Sequence, residues 1–220
     1  MSVVGLLIKI KFLYMEPKIT FDTIDSIINE AQKGNAFIIV DDEHRENEGD
    51  IIASAAFITP KLINVMKEAG GLICVAIDHE VFNRFALELH PRRNIEASET
   101  AFTLSVDAVS NIQTGISSED RAYTIKKLAD PLGNPKDFKS PGHIFPVLAH
   151  KNGINERRGH TEASIEIAKL AKLPGAMVMC EIINKNGTMS RGIELHKFAQ
   201  DYKMKISTVD LLHRYIQKNG

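Results

Sequence analysis

Two short segments hold most of the groups in this chain that could do chemistry. They are Asp41-Asp42-Glu43-His44-Arg45-Glu46-Asn47-Glu48-Gly49-Asp50 and, far downstream, Arg157-Arg158-Gly159-His160-Thr161-Glu162. The first gathers six carboxylates and an arginine directly after Ala36-Phe37-Ile38-Ile39-Val40, where a buried strand would deliver a loop to the rim of a sheet. Hard divalent cations take oxygen ligands and often keep part of their shell for water or substrate. If the stretch is extended, Glu46, Glu48 and Asp50 share one face, because side chains alternate along a strand. A solvated acidic loop is the plain alternative; the repeated alternation and the embedded Arg45 weigh against it.

In the second segment, Arg157, His160 and Thr161 stand at i, i+3 and i+4, so a helix beginning here would bring them to one face. Gly159 allows close backbone approach, and first-turn amides form a ready anion site. Arg157 with Thr161 at a helix N-terminus makes a phosphate cradle. His160 beside it suits metal ligation or proton transfer, against the ordinary alternative of a capping or surface histidine.

Glu181 interrupts Met177-Val178-Met179-Cys180-Glu181-Ile182-Ile183, an apolar strand where a carboxylate is costly unless paired; a buried salt bridge would account for it equally well. His143 lies in Ser140-Pro141-Gly142-His143-Ile144-Phe145-Pro146, on a long loop between two prolines. Asp107, Asp120 and Arg121 are expected to be strand-edge and first-turn residues with structural roles. Asp78-His79-Glu80 looks like a metal cluster on paper but fits better as the start of a helix with Asp78 as its cap.

These groups need elements to position them. Ile24, Ile27, Ile28 and Ala31 recur at helical spacing, with Gly34 as a stop. Strand 36–40, the acidic loop and a second apolar stretch, 51–57, follow. Thr59-Pro60 opens a helix that Gly70-Gly71 closes, and 72–77 is a short apolar run of strand type. Phe102, Leu104, Val106 and Ala108 alternate with polar residues, predicting a half-buried strand. Ser117 or Ser118 caps a helix through Leu128, with Ala122, Ile125 and Leu128 inward. Residues 130–146 form a proline- and glycine-rich connection too long for mere linkage. A helix over 161–173, a strand over 176–183, a helix near 194–202, a short strand at 205–207 and a C-terminal helix capped by Thr208 complete the chain. Strict alternation of strand and helix fails where two strands flank the acidic loop, so a mixed sheet covered by helices on both sides is expected.

The chain has 220 residues, 44% of them hydrophobic and 25% charged, with 27 Lys and Arg against 28 Asp and Glu. That balance, without a basic stripe, excludes an electrostatic case for nucleic acid. The two cysteines, Cys74 and Cys180, each sit in an apolar run and suit a reducing, cytoplasmic compartment. Val3 to Tyr14 is apolar but broken by Lys9 and Lys11, too short to span a bilayer and a poor secretory signal; residues 1–16 are expected to be an extension without assigned role, and 17–220 one domain. No dinucleotide or phosphate-loop glycine fingerprint, nucleophile elbow or CxxC pair is present, which argues against nicotinamide, ATP and serine-hydrolase chemistry. A carboxylate and histidine site with an anion cradle supports metal-assisted proton abstraction beside the carbonyl of a small phosphorylated substrate.

Taken together, Asp-Asp-Glu-x-Arg-Glu-Asn-Glu-Gly-Asp (41–50), Thr-Ala-Phe-Thr-x-Ser-Val-Asp (100–107), Thr-Gly-Ile-Ser (114–117), Pro-Gly-His-Ile-Phe-Pro (141–146), Arg-x-Gly-His-Thr-Glu-Ala (157–163) and Gly-Thr-Met-x-Arg (187–191) resemble the 3,4-dihydroxy-2-butanone 4-phosphate synthase family, which supplies the four-carbon unit of riboflavin. The resemblance covers nearly everything from about residue 17 to residue 212. It implies an α+β, three-layer sandwich with a mixed sheet in a single domain. It also implies a homodimer with active sites near the subunit interface, and conversion of D-ribulose 5-phosphate to 3,4-dihydroxy-2-butanone 4-phosphate and formate. Magnesium, replaceable by manganese, is the implied cofactor, as two ions per site held by the positions matching Glu46 and His160. Arg45, Glu46, Asp50, Arg157, Thr161 and Glu181 match substrate-binding positions, and His143, Glu181 and Asp50 match catalytic ones.

The stretch 89–99 departs from the family pattern, which there carries a Met-Val and asparagine-rich segment with glycine before the position of Thr100. Many relatives also carry a fused GTP cyclohydrolase II domain with a cysteine-ligated zinc; the end at Gly220 and the two cysteines lead us to expect the monofunctional form. The rivals are a divergent member acting on another sugar phosphate, a nucleotide- or RNA-binding relative, and an inactive scaffold. Intact Glu46, His160 and Glu181 weigh against the last.

Overall fold

Local signals place the helices. The computed structural model describes residues 20–42, 45–91 and 100–219; the expected 1–16 extension, Glu43, His44 and most of the divergent 89–99 stretch lie outside the described residues. Helix α1 (Ile24–Gln32) is capped by the Thr23 hydroxyl and followed by Gly34 at φ +77°. Helix α2 (Pro60–Ala69) opens on the Thr59 cap with proline in its first turn and closes at Gly70, φ +88°, a left-handed position that costs glycine little. Asp78 caps the short α3 (His79–Arg84) and Ser117 caps α4 (Ser118–Leu128). Helices α5 (His160–Ala171), α6 (Ile193–Asp201) and α7 (Val209–Asn219) follow, with the Thr208 hydroxyl accepting from Leu211 N at the start of α7.

The strands are β1 (Phe37–Val40), β2 (Gly49–Ser54), β3 (Cys74–Ile77), β4 (Ala101–Phe102), β5 (Val106–Ala108), β6 (Phe138–Leu148), β7 (Ala176–Glu181) and β8 (Lys205–Thr208). They form one sheet in the order β4-β6-β3-β7-β2-β1-β8, with β5 paired to β6. Pairs β1–β8 and β3–β6 are parallel, while β1–β2, β2–β7, β3–β7, β4–β6 and β5–β6 are antiparallel. The sheet is therefore mixed. One face packs a core with Ile63 and Met66 of α2, Ile125 and Leu128 of α4 and Leu195 of α6. The other packs Ile27 of α1, Ile165 and Ile167 of α5 and Leu212 of α7. Two helical layers around one sheet make the expected α+β three-layer sandwich. Cys74 and Cys180 are free and buried, and burial pushes both thiols up. Among the described residues no helix is long and apolar enough to cross a membrane.

Three expectations are corrected. The connection expected over 130–146 is largely strand β6, entered through a capped turn at Asn134–Asp137. The single strand expected from 102 to 108 is two pieces broken at 103–105, with Phe102 37% exposed and Thr103 buried. The polypeptide turns at Arg45 and Glu46 before β2 starts at Gly49, so Glu46 and Glu48 do not line one extended face with Asp50.

Candidate active site

The registers align the central strands. Phe145 of β6 pairs with Cys74, Cys74 with Met179 and Met179 with Ile52. Stepping two residues along β6, β7 and β2 toward the same end of the sheet reaches His143, Glu181 and Asp50, on the face covered by α5 because side chains repeat every second residue. Asp50 and Glu181 are direct partners. His143 is three strands from Asp50, roughly 14 Å at about 4.8 Å per strand spacing. One end of one sheet face thus carries three of the residues singled out by sequence.

The acidic loop is organised by Asp41. Its Oδ1 accepts from Glu48 N (2.8 Å), and its Oδ2 accepts from Arg45 Nη1 (2.6 Å) and Glu46 N (3.4 Å). Arg45 also grips Glu46 with two nitrogens, at 2.5 and 3.0 Å. Across from the loop, His160 is the first residue of α5 and only 7% exposed. Its Nε2 lies 3.3 Å from Glu48 O and its Nδ1 lies 3.7 Å from Asp50 Oδ1.

Ligand atoms of Asp41, Glu46 and His160 all lie within 4.8 Å of one another. Oxygen and imidazole donors at that spacing suit a hard or borderline divalent cation. A second observation fits: Asp50 Oδ1 is buried without a hydrogen-bond partner among the described residues, an arrangement costly unless something positive faces it. Burial pushes the Asp50 carboxyl up to about 7; His160 opposes this, and Glu181, Asp41 and Glu46 add to it. Asp41 already accepts three hydrogen bonds that shape the loop, which leaves Glu46 and His160 as the candidate ligands and Asp41 as support for the loop.

Arg157 differs from expectation. It precedes α5 and is not on its face; it folds back so that Nη1 donates to Glu162 Oε2 (2.6 Å) and Nη2 to Thr100 Oγ1 (2.7 Å). Gly159 makes room, since a Cβ there would stand 2.3 Å from Arg157 Nη1. Gly159 also offers no side-chain cap, leaving first-turn amides beside the buried Thr161 as anion donors. Glu162, 1% exposed, fixes this corner by also accepting from His150 N (2.9 Å). Its one signal in the sequence is an acid at the third helical position, which does not show what it holds.

Among the described residues no salt bridge holds Glu181; Leu72 N donates to its Oε2 (2.8 Å). Gly71 permits this, for a Cβ there would meet Glu181 O at 2.4 Å and Oε2 at 2.6 Å. We expect Gly71→Ala to lower kcat roughly a hundredfold by displacing the carboxylate; a steady-state assay with unchanged kcat would separate Glu181 from turnover.

His143 sits on β6, not on a loop. Asp107 accepts from its backbone N (2.9 Å) and lies 2.8 Å from its Nδ1, with Asp107 almost fully buried. Asp107 is thus no mere strand-edge residue. Asp120, by contrast, accepts from the amides of Gln113, Thr114 and Gly115, a structural role as expected.

The sequence model of the 3,4-dihydroxy-2-butanone 4-phosphate synthase family matches residues 25–215. The chain belongs to this family. It is 45% identical over 193 residues to 3,4-dihydroxy-2-butanone 4-phosphate synthase of Neisseria meningitidis, covering 87% of this chain and 53% of that protein. It is 45% identical over 201 residues to riboflavin biosynthesis protein RibBA of Synechocystis, covering 90% of this chain and 36% of that one. The chain therefore spans about half the length, or less, of these curated relatives. A solved structure of 3,4-dihydroxy-2-butanone 4-phosphate synthase in complex with two magnesium ions superposes with a TM-score of 0.86 at 34% identity, covering 90% of this chain and 98% of that one. This chain thus has the synthase fold and a carboxylate and histidine cluster with the spacing of a metal site.

Proposed function

We propose that this chain converts D-ribulose 5-phosphate to L-3,4-dihydroxy-2-butanone 4-phosphate and formate in riboflavin biosynthesis, as a magnesium-dependent cytoplasmic lyase. The observation that carries this is the convergence of Glu46, His160 and the buried Asp50 oxygen, unpartnered among the described residues, beside a helix start without a side-chain cap, in a chain of this family. Glu46 and His160 would hold two divalent ions, magnesium or manganese, whose Lewis acidity would be supplied to the substrate's carbonyl and hydroxyls.

The protein groups divide the remaining work. The first-turn amides of α5, Thr161 and Arg157 bind the phosphate, with Glu162 and Thr100 aiming the guanidinium. Arg45 orients the substrate next to Glu46. Asp50 and Glu181, adjacent across β2 and β7, and His143 handle the protons of enolisation, dehydration and skeletal rearrangement. Water lost on dehydration is regained on formate release, so one substrate yields two products. His143 stands two strands from Glu181, about 10 Å at the usual spacing. That separation fits a homodimer with sites near its interface, where a second copy can supply groups.

Formate release from D-ribulose 5-phosphate, measured with magnesium and again after EDTA, tests the reading. Formate that appears with metal and stops on chelation is expected. No formate from folded protein that still binds the substrate would move the assignment to another sugar phosphate.

A further inference from the structure

We propose that Arg191 is a positioning residue for the metal-binding loop. It lies beyond the far end of β7, in the segment that leads into α6, yet its guanidinium reaches back to the acidic loop. Nε donates to Asn47 O (3.0 Å) and Nη2 to Glu46 O (3.1 Å), with Glu48 Oε1 3.7 Å from Nη2. Both acceptors are main-chain carbonyls, so what Arg191 fixes is the path of the turn that carries the Glu46 side chain.

Asn47 adopts φ +52°, the left-handed region that asparagine enters more readily than most non-glycine residues, and its carbonyl and that of Glu46 before it are the two that Arg191 engages. Arg191 is itself aimed: its backbone N donates to Glu194 Oε2, which also accepts from Asn184 Nδ2. Asp41 and Arg191 therefore hold the loop from opposite sides, one by accepting from its amides and one by donating to its carbonyls. A planar guanidinium with several fixed donors can bridge two successive carbonyls; an ammonium serves as a point charge. At 48% exposure, the side chain contributes little to core packing, so its hydrogen bonds to the loop are better explained by the loop than by the fold.

This inference rests on the metal reading above, and manganese binding separates the two. Free Mn2+ is followed by electron paramagnetic resonance on the wild type, Arg191→Met, Arg191→Lys and Glu46→Gln, with melting temperatures alongside. Arg191→Met is expected to weaken Mn2+ binding by about ten- to a hundredfold at nearly unchanged melting temperature. Its kcat should recover toward wild type at saturating Mn2+, with Arg191→Lys in between. Wild-type affinity in Arg191→Met, where Glu46→Gln has lost binding, overturns the role of Arg191 and leaves the metal site standing. Absence of Mn2+ binding by the wild type removes both. Loss of affinity in step with a large fall in melting temperature in both arginine variants would make Arg191 a structural brace and overturn its positioning role.

Discussion

Glu46→Gln is expected to reduce metal-dependent formate release by roughly a thousandfold or more while the protein stays folded. An amide keeps the shape of the side chain but loses the charge that attracts a divalent ion, and losing several kcal/mol of charge stabilisation corresponds to three or more powers of ten in rate. The fold should not notice, because the Glu46 side chain is 47% exposed and its ion pair with Arg45 is at the surface, where such pairs contribute little. His160→Ala should abolish turnover equally, at a greater cost in stability because His160 is buried at the start of α5. The check is formate assayed beside a thermal melt; near-wild-type turnover in either variant would refute the metal assignment.

Asp107→Asn should reduce kcat by roughly two to four orders of magnitude, the usual worth of a positioned acid or base. A carboxylate offers only acceptors, so facing it His143 carries its proton on Nδ1 and presents Nε2 as an acceptor. In the variant, the amide oxygen must stay on the His143 backbone N–H, which turns the amide NH2 toward Nδ1. The imidazole is then driven into the opposite tautomer, with Nε2 donating. Gly115 leaves room for the pair, since a Cβ there would stand 2.3 Å from Asp107 Oδ2 and 2.6 Å from His143 Nδ1. If Asp107 acts through His143, Asp107→Asn combined with His143→Ala will be no slower than His143→Ala alone. Additive losses, or a kcat close to wild type in the single variant, would defeat this reading.

Helix boundaries were legible because their signals are local. Thr59-Pro60 with Gly70, Asp78, Ser117 and Thr208 each announce a cap within one turn, and neighbouring side chains decide such features. Strand β6 was not legible: Pro141, Gly142 and Pro146 argue against a strand, and the pairing with β3, β4 and β5 that overrides them involves distant residues. The broken strand at 103–105 failed for the same reason, since Thr103 is drawn inward by Pro146 O, 43 residues away. At the site, residue types could be read but not their partners. Arg157 was aimed by a buried Glu162, His143 by Asp107, and neither pairing follows from spacing. Alternation visible in the sequence predicts an extended acidic loop, whereas the turn at Arg45 depends on where Asp41 accepts its hydrogen bonds.

If Asp50, Glu181 and His143 handle the protons as proposed, their shared row makes turnover a gauge of strand alignment. Sliding β2 by one residue against β7 would rotate Asp50 to the opposite side and present Ile51 or Gly49 in its place, while the content of sheet and helix stayed the same. Circular dichroism would be blind to that slip, yet catalysis would vanish. For anyone reshaping this scaffold, the β2–β7 pairing fixes Asp50 beside Glu181, so loop redesign can retune the approach of the substrate while leaving that pair in place.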